Sequence, residues 1–178
     1  MRARVAALIA LAVLLASCGV LQPTPAYFRP PLPDPEPMPG LRADEVAAGL
    51  VQRGLDCHFV PPSGGGWRCQ RGQNDEENDF GIGYSSDEEG PIGEASASQR
   101  VFEPNQAPEP AALDQAVLAN FYLFVEVVVP EDVRPTEAEL LNGIQRNYPM
   151  ELGDGWFIGF DRSSRHRNIR IVYATPDD

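Results

Sequence analysis

A chain of 178 residues, 43% of them hydrophobic, can bury one core of ordinary size, and its 26 acidic against 14 basic side chains leave a formal charge of −12. That acidity argues against nucleic-acid binding and against electrostatic adhesion to anionic lipid, because like charges repel. Lys is absent, so every fixed positive charge is an Arg.

Arg2 and Arg4 open the chain, and Val5 to Leu15 follows as an unbroken apolar run of 11 residues. Leu15-Ala16-Ser17-Cys18-Gly19 then places small residues at a cleavage point. This is the layout of a secretory signal, too short to span a bilayer as a stable helix. Its last four residues, Leu15-Ala16-Ser17-Cys18, resemble the lipobox of bacterial lipoproteins. The resemblance covers the leader alone. It implies that Cys18 receives a diacylglycerol, that residues 1–17 are removed, and that the new amine is acylated. It also implies a membrane-anchored protein of the cell envelope, facing outside the cytoplasm. Gly19, rather than Asp, resembles the lipoproteins sent to the outer membrane where an envelope has two. Two or three acyl chains on one residue anchor stably, whereas one binds only marginally. Acyl groups, not a basic patch, are expected to hold this protein to its membrane.

Residues 18–40 are expected to form the lipidated Cys and a tether. Eight of the 22 residues from 19 to 40 are proline. Fixed φ and missing N–H groups disfavour helix and sheet there, which points to an extended polyproline-like spacer. At about 3.1 Å per residue it reaches roughly 60–70 Å. Pro30-Pro31-Leu32-Pro33 contains a PxxP, but a spacer explains the run without a reader domain.

The folded part, 41–178, is expected to open with a helix from Asp44 to Arg53. Val46, Ala47, Leu50 and Val51 share its face and Gly54 ends it. Leu55 to Val60 and Trp67 to Arg71 alternate as strands around a Pro-Pro-Ser-Gly-Gly-Gly turn. If Cys57 faces Cys69, then Phe59 faces Trp67 on the same side of the ladder. With Cys18 consumed by lipid, two cysteines remain in an oxidising compartment, and a Cys57–Cys69 disulfide follows from the arithmetic. Closing that short loop contributes on the order of 3 kcal/mol.

Phe80 to Tyr84 and Ala95 to Phe102 alternate as two further strands. Eight acidic residues and no basic one lie between Gly72 and Gln99. Asp75, Glu77 and Asp79 sit at alternate positions, as in a calcium loop. Phe80, however, stands where an EF-hand needs its glycine, so solvated turns are the simpler reading. After a linker from Glu103 to Pro110, Ala111 to Val129 carries Leu113, Ala116, Val117, Phe121, Phe124, Val125 and Val128 at helical spacing, a core helix. Pro130 stops it. Thr136 with Glu139 makes a capping box for a helix to about Asn147, buried through Leu140, Leu141 and Ile144. A closing hairpin alternates Trp156, Ile158 and Phe160 with Ile169, Ile171 and Tyr173.

The turn of that hairpin carries Arg162, Arg165, His166 and Arg167, with Arg170 just beyond. In so acidic a chain this is the one local reversal of charge. It reads either as partners for the acidic turns or as an exposed anion or partner patch. His58 and His166 are the only histidines. No Gly-x-Ser-x-Gly, phosphate loop or His-x-x-x-His occurs, so no catalytic residue, metal ligand or cofactor is expected.

The expected fold is one α+β domain, a single antiparallel sheet with about three helices on one face, in the order αββββααββ. The expected role is a lipid-anchored, non-enzymatic binding module for an unknown envelope protein or ligand, with no nucleic acid. Behind it stands a small-ligand or calcium-binding lipoprotein, using the uncovered sheet face, and last an envelope hydrolase.

Overall fold

The structure, a computed structural model, describes residues 30–61, 66–71, 78–84, 88–101, 109–163 and 166–175. The leader, Cys18, Asp75, Glu77 and Arg165 lie outside them. Among the described residues, three helices and seven strands follow one another.

Helix α1 (Ala43–Gln52) buries Ala43, Val46, Ala47 and Leu50. Val51, expected on that face, is 51% exposed. The stripe runs through 43, 46–47 and 50, and position 51 falls beyond its edge at 100° per residue. Gly54, at φ +85°, closes the helix as expected.

Strands β1 (Asp56–Val60) and β2 (Gly66–Gln70) pair antiparallel with Cys57 opposite Cys69 and Phe59 opposite Trp67, the expected register. The two aromatic rings meet edge to face at 5.8 Å. Strands β3 (Asn78–Tyr84) and β4 (Glu94–Val101) continue the ladder.

Helix α2 (Pro110–Val128) is the core helix. Leu113, Val117, Phe121, Phe124, Val125 and Val128 are each at most 1% exposed. Burying a side chain of this size contributes about 1.5–3 kcal/mol. Val129 turns extended in front of Pro130, whose ring disfavours helix at the preceding residue. Helix α3 (Glu137–Arg146) carries the expected capping box. Thr136 accepts from the Glu139 N–H at 3.3 Å, and Glu139 accepts from the Thr136 N–H at 2.8 Å. Leu140 and Ile144 are buried with Gly143, which lies so close to the Phe160 ring that no β-carbon fits. Asn147 ends the helix in the left-handed region, φ 55°.

Strands β5 (Met150–Gly153), β6 (Trp156–Arg162) and β7 (His166–Tyr173) complete the chain. The seven strands hydrogen-bond in the order β1-β2-β3-β4-β7-β6-β5, every neighbouring pair antiparallel. The mixed α+β class and the three helices are as expected. The element order is αββββααβββ, one strand more than expected. The missed strand, β5, is four residues of mixed polarity, too short to show a period. Its signal is Asp154-Gly155, at φ 49° and 82°, the pair of positive angles that a two-residue hairpin turn requires.

The helices cover one face. Helix α1 packs on β1 and β2, α2 on β4 and β7, and α3 on β6. Cys69, Ala95, Ala97, Ile158, Phe160, Ile169 and Ile171 meet them in one core cluster. Residues 30–40, expected as spacer, lie against the other side and the end of the sheet. Leu32 packs on Gly159, Glu36 bridges to Tyr173, and Met38 is 2% exposed within the core. Val172, which alternates with Ile171 and so faces away from the helices, is fully buried.

Candidate functional site

Three places gather chemistry: the cysteine pair, the arginine turn and the helix-free face. Cys57 and Cys69 stand opposite each other on β1 and β2, with Cα atoms 4.0 Å apart and the sulfurs at bonding distance, 2.11 Å. Cys69 is buried and Cys57 half-buried.

At the arginine turn the structure turns two guanidinium groups toward one carboxylate. Asp114, in the first turns of α2, is fully buried. Its two oxygens accept from Arg167 Nε at 2.5 Å and from an Arg162 terminal nitrogen at 3.0 Å. Arg167 is 1% exposed and donates further to the backbone carbonyls of Ser163, His166 and Pro110. Arg162 also holds the Gln145 carbonyl, at the end of α3, at 3.0 Å. A buried charge is tolerable only when paired and hydrogen-bonded, and here both Asp114 oxygens accept and all three Arg167 nitrogens donate. Arg167 is therefore an internal tie between α2 and the β6–β7 turn, not part of a surface patch. Arg170 points to the opposite face and grips Glu94 through two hydrogen bonds, 2.8 and 2.6 Å. The hydrogen bonds to Glu94 hold its guanidinium further above its already high ordinary value. His166 is half-buried, and Arg165 lies outside the described residues.

Asp114 is the residue that reading the sequence missed. It sits on the same helical stripe as Val117, Leu118 and Phe121, and an acidic residue at such a position needs a cation. Asn120, on the same helix, extends the polar seam. It donates to Gln99 on β4 at 3.0 Å and accepts from Arg71, just after β2, at 2.8 Å.

The helix-free face is polar. Register places His58, Arg68, Gly83, Ser96, Arg170 and Gly159 side by side across six strands. Asp56, Gln70, Gly81, Ser98, Asn168 and Asp161 form the next row. Gly83 and Ser96 in the first row and Gly81 and Ser98 in the second stand at the centre, on β3 and β4. A cleft of about 350 Å³ opens beside these rows, lined by Pro30, Leu32, Pro149, Gly159, Asn168 and Arg170. A second, about 360 Å³, lies between the α2–α3 connection and β5, with Asp132, Glu139 and Glu151 on its walls. Arg134 borders that second cleft but is bound to the carbonyls of Glu126 and Val129.

Chemically this is a surface of donors and acceptors. Among the described residues, no group of three His, Cys, Asp or Glu is placed to hold a metal ion. The calcium-like run at Asp75 and Glu77 lies outside the described residues. No family model, curated protein or solved structure matches the chain.

Proposed function

We propose that the protein is lipid-anchored in the cell envelope, faces outside the cytoplasm, and binds another envelope component without chemistry of its own. The observation that carries this reading is Leu15-Ala16-Ser17-Cys18 at the end of a charged and then apolar leader. Acylation of Cys18 leaves Cys57 and Cys69 to each other, and their sulfurs at bonding distance are consistent with an oxidising compartment. Gly19 favours the outer membrane in an envelope that has two. The helices occupy one face of the sheet, so the polar helix-free face, from His58 and Arg68 to Ser96 and Asn168, is the surface on offer to a partner.

Mass spectrometry of the protein isolated from its own cells tests the reading. The expected product begins at Cys18 and carries a diacylglycerol on sulfur. A chain with its leader intact, or a free thiol at residue 18, overturns it. The cleft of about 350 Å³ beside Leu32 favours a second reading, a binding protein for a small polar ligand, since it lies on the uncovered face and within the size range of ligand sites. Equilibrium dialysis against envelope extracts separates the two, a retained small molecule pointing to the second.

A further inference from the structure

Residues 30–40 read Pro-Pro-Leu-Pro-Asp-Pro-Glu-Pro-Met-Pro-Gly, with proline at every odd position from 31 to 39. In an extended chain successive residues aim their backbone groups at opposite edges, so alternate residues share one edge. From 31 to 39 the even positions keep their N–H groups and the odd positions have none. Two of the even ones are used. Glu36 donates to the Tyr173 carbonyl at 2.8 Å and Met38 to the Ile92 carbonyl at 2.7 Å. The opposite edge has carbonyls but no donor from 31 to 39, so another strand cannot pair along it. Side chains seat both ends of the segment. Met38 is 2% exposed, and Leu32 rests on bare backbone at Gly159, where a β-carbon would stand 2.5 Å from its Cδ1.

We propose that residues 30–40 are a one-sided strand with which the domain clamps its own tether, and that the clamp sets how far the domain stands from its membrane. The distance rests on acylation of Cys18, while the clamp does not. With 30–40 held, only residues 19–29 separate the lipid from the domain, at most about 35 Å when extended, in place of roughly 60–70 Å for the whole run. The partner of the domain is then a component in or beside the anchoring membrane rather than one across the envelope. Anchored copies are concentrated in a plane, where an exposed strand edge invites pairing, and the proline edge blocks it.

Hydrogen exchange tests the clamp on the full acylated protein in detergent and on the Cys18→Ser protein. The amides of Glu36 and Met38 are expected to exchange at least about a hundredfold slower than in a free peptide, in both. Free-peptide rates overturn the clamp. Glu36→Pro removes one of the two donors and leaves the helical core untouched. It is expected to speed Met38 exchange at least about tenfold while the Ile169 and Ile171 amides stay slow. An unchanged Met38 rate shows that the segment is not one unit, and sinks the proposal. Slow exchange on a protein that lacks acyl mass at Cys18 overturns the distance and the anchoring reading together, and leaves the clamp standing.

Discussion

Asp114 shows how far one side chain can reach. It joins the first turns of α2 to both ends of the β6–β7 turn through Arg162 and Arg167, and through Arg162 to the end of α3. Removing it leaves Arg167 buried without its counter-charge. Asp114→Ala is expected to cost about 3–5 kcal/mol in urea unfolding. Replacing Asp114 and Arg167 together by leucines should cost far less, because no fully buried charge is left unpaired and Arg162, part-exposed, can turn to water. Equal losses in the two variants would mean that packing, and not charge, holds this corner. The N-terminus of α3 gives a second case. Hydrogen bonds from the Thr136 backbone and then its hydroxyl hold the Glu139 carboxyl below its ordinary value of 4.5. A lowered folded-state value means stability that is present above the unfolded-state value and is lost as pH falls through the folded one. Thr136→Ala removes the N-cap hydroxyl that accepts from the Glu139 N–H and should destabilise by about 1 kcal/mol near neutral pH. It should flatten the acid limb below the ordinary carboxylate range only in part, because the backbone N–H that lowers Glu139 most remains, which a pH series of thermal melts checks.

At the scale of the element, hairpins bracket the sheet at its two edges. Cys57 and Cys69 hold β1 to β2 at the β1 edge, where β1 has a strand on one side only. Reduction, or the Cys57→Ser and Cys69→Ser pair, is expected to lower stability by on the order of 3 kcal/mol. Exchange should rise first in β1, and uniform acceleration across the molecule would show that the bridge holds the whole fold rather than its edge. At the other edge, β5 and β6 depend on Asp154-Gly155. Gly155 sits at φ +82°, and a β-carbon there would strike the Ala174 carbonyl. Gly155→Ala should cost more than about 1 kcal/mol by denaturant titration, whereas Gly54→Ala, with open space around it, should cost less. Most elements were legible because their buried faces repeat: α2 through its apolar stripe, β6 and β7 through the alternate positions of Trp156, Ile158 and Phe160 and of Ile169, Ile171 and Tyr173, the β1–β2 register through two cysteines and two aromatics. The proline run was legible as extended chain but not as docked chain. Proline content rules out a helix, while the surface that receives Leu32 and Met38 is built by residues more than fifty positions away.

For the whole molecule, the division is between a face closed by helices and a face left polar. Anchoring belongs to this scale too. Cys18→Ser is expected to move the protein from the membrane pellet to the soluble fraction, and retention in the pellet after a salt wash would contradict acyl anchoring. Charge explains the choice of readout, since a chain at −12 gains nothing from anionic lipid. The sequence by itself carried the leader from which anchoring is proposed, the pairing arithmetic of the cysteines, the mixed class and the capping of α3, because each depends on residues close together in the chain or on counting. Tertiary structure alone decided that Arg167 turns inward to Asp114, that Arg170 belongs to Glu94, and that residues 30–40 are part of the domain. In each of those the deciding partner lies far along the chain, and burial beside it changes what a charge or a proline is for.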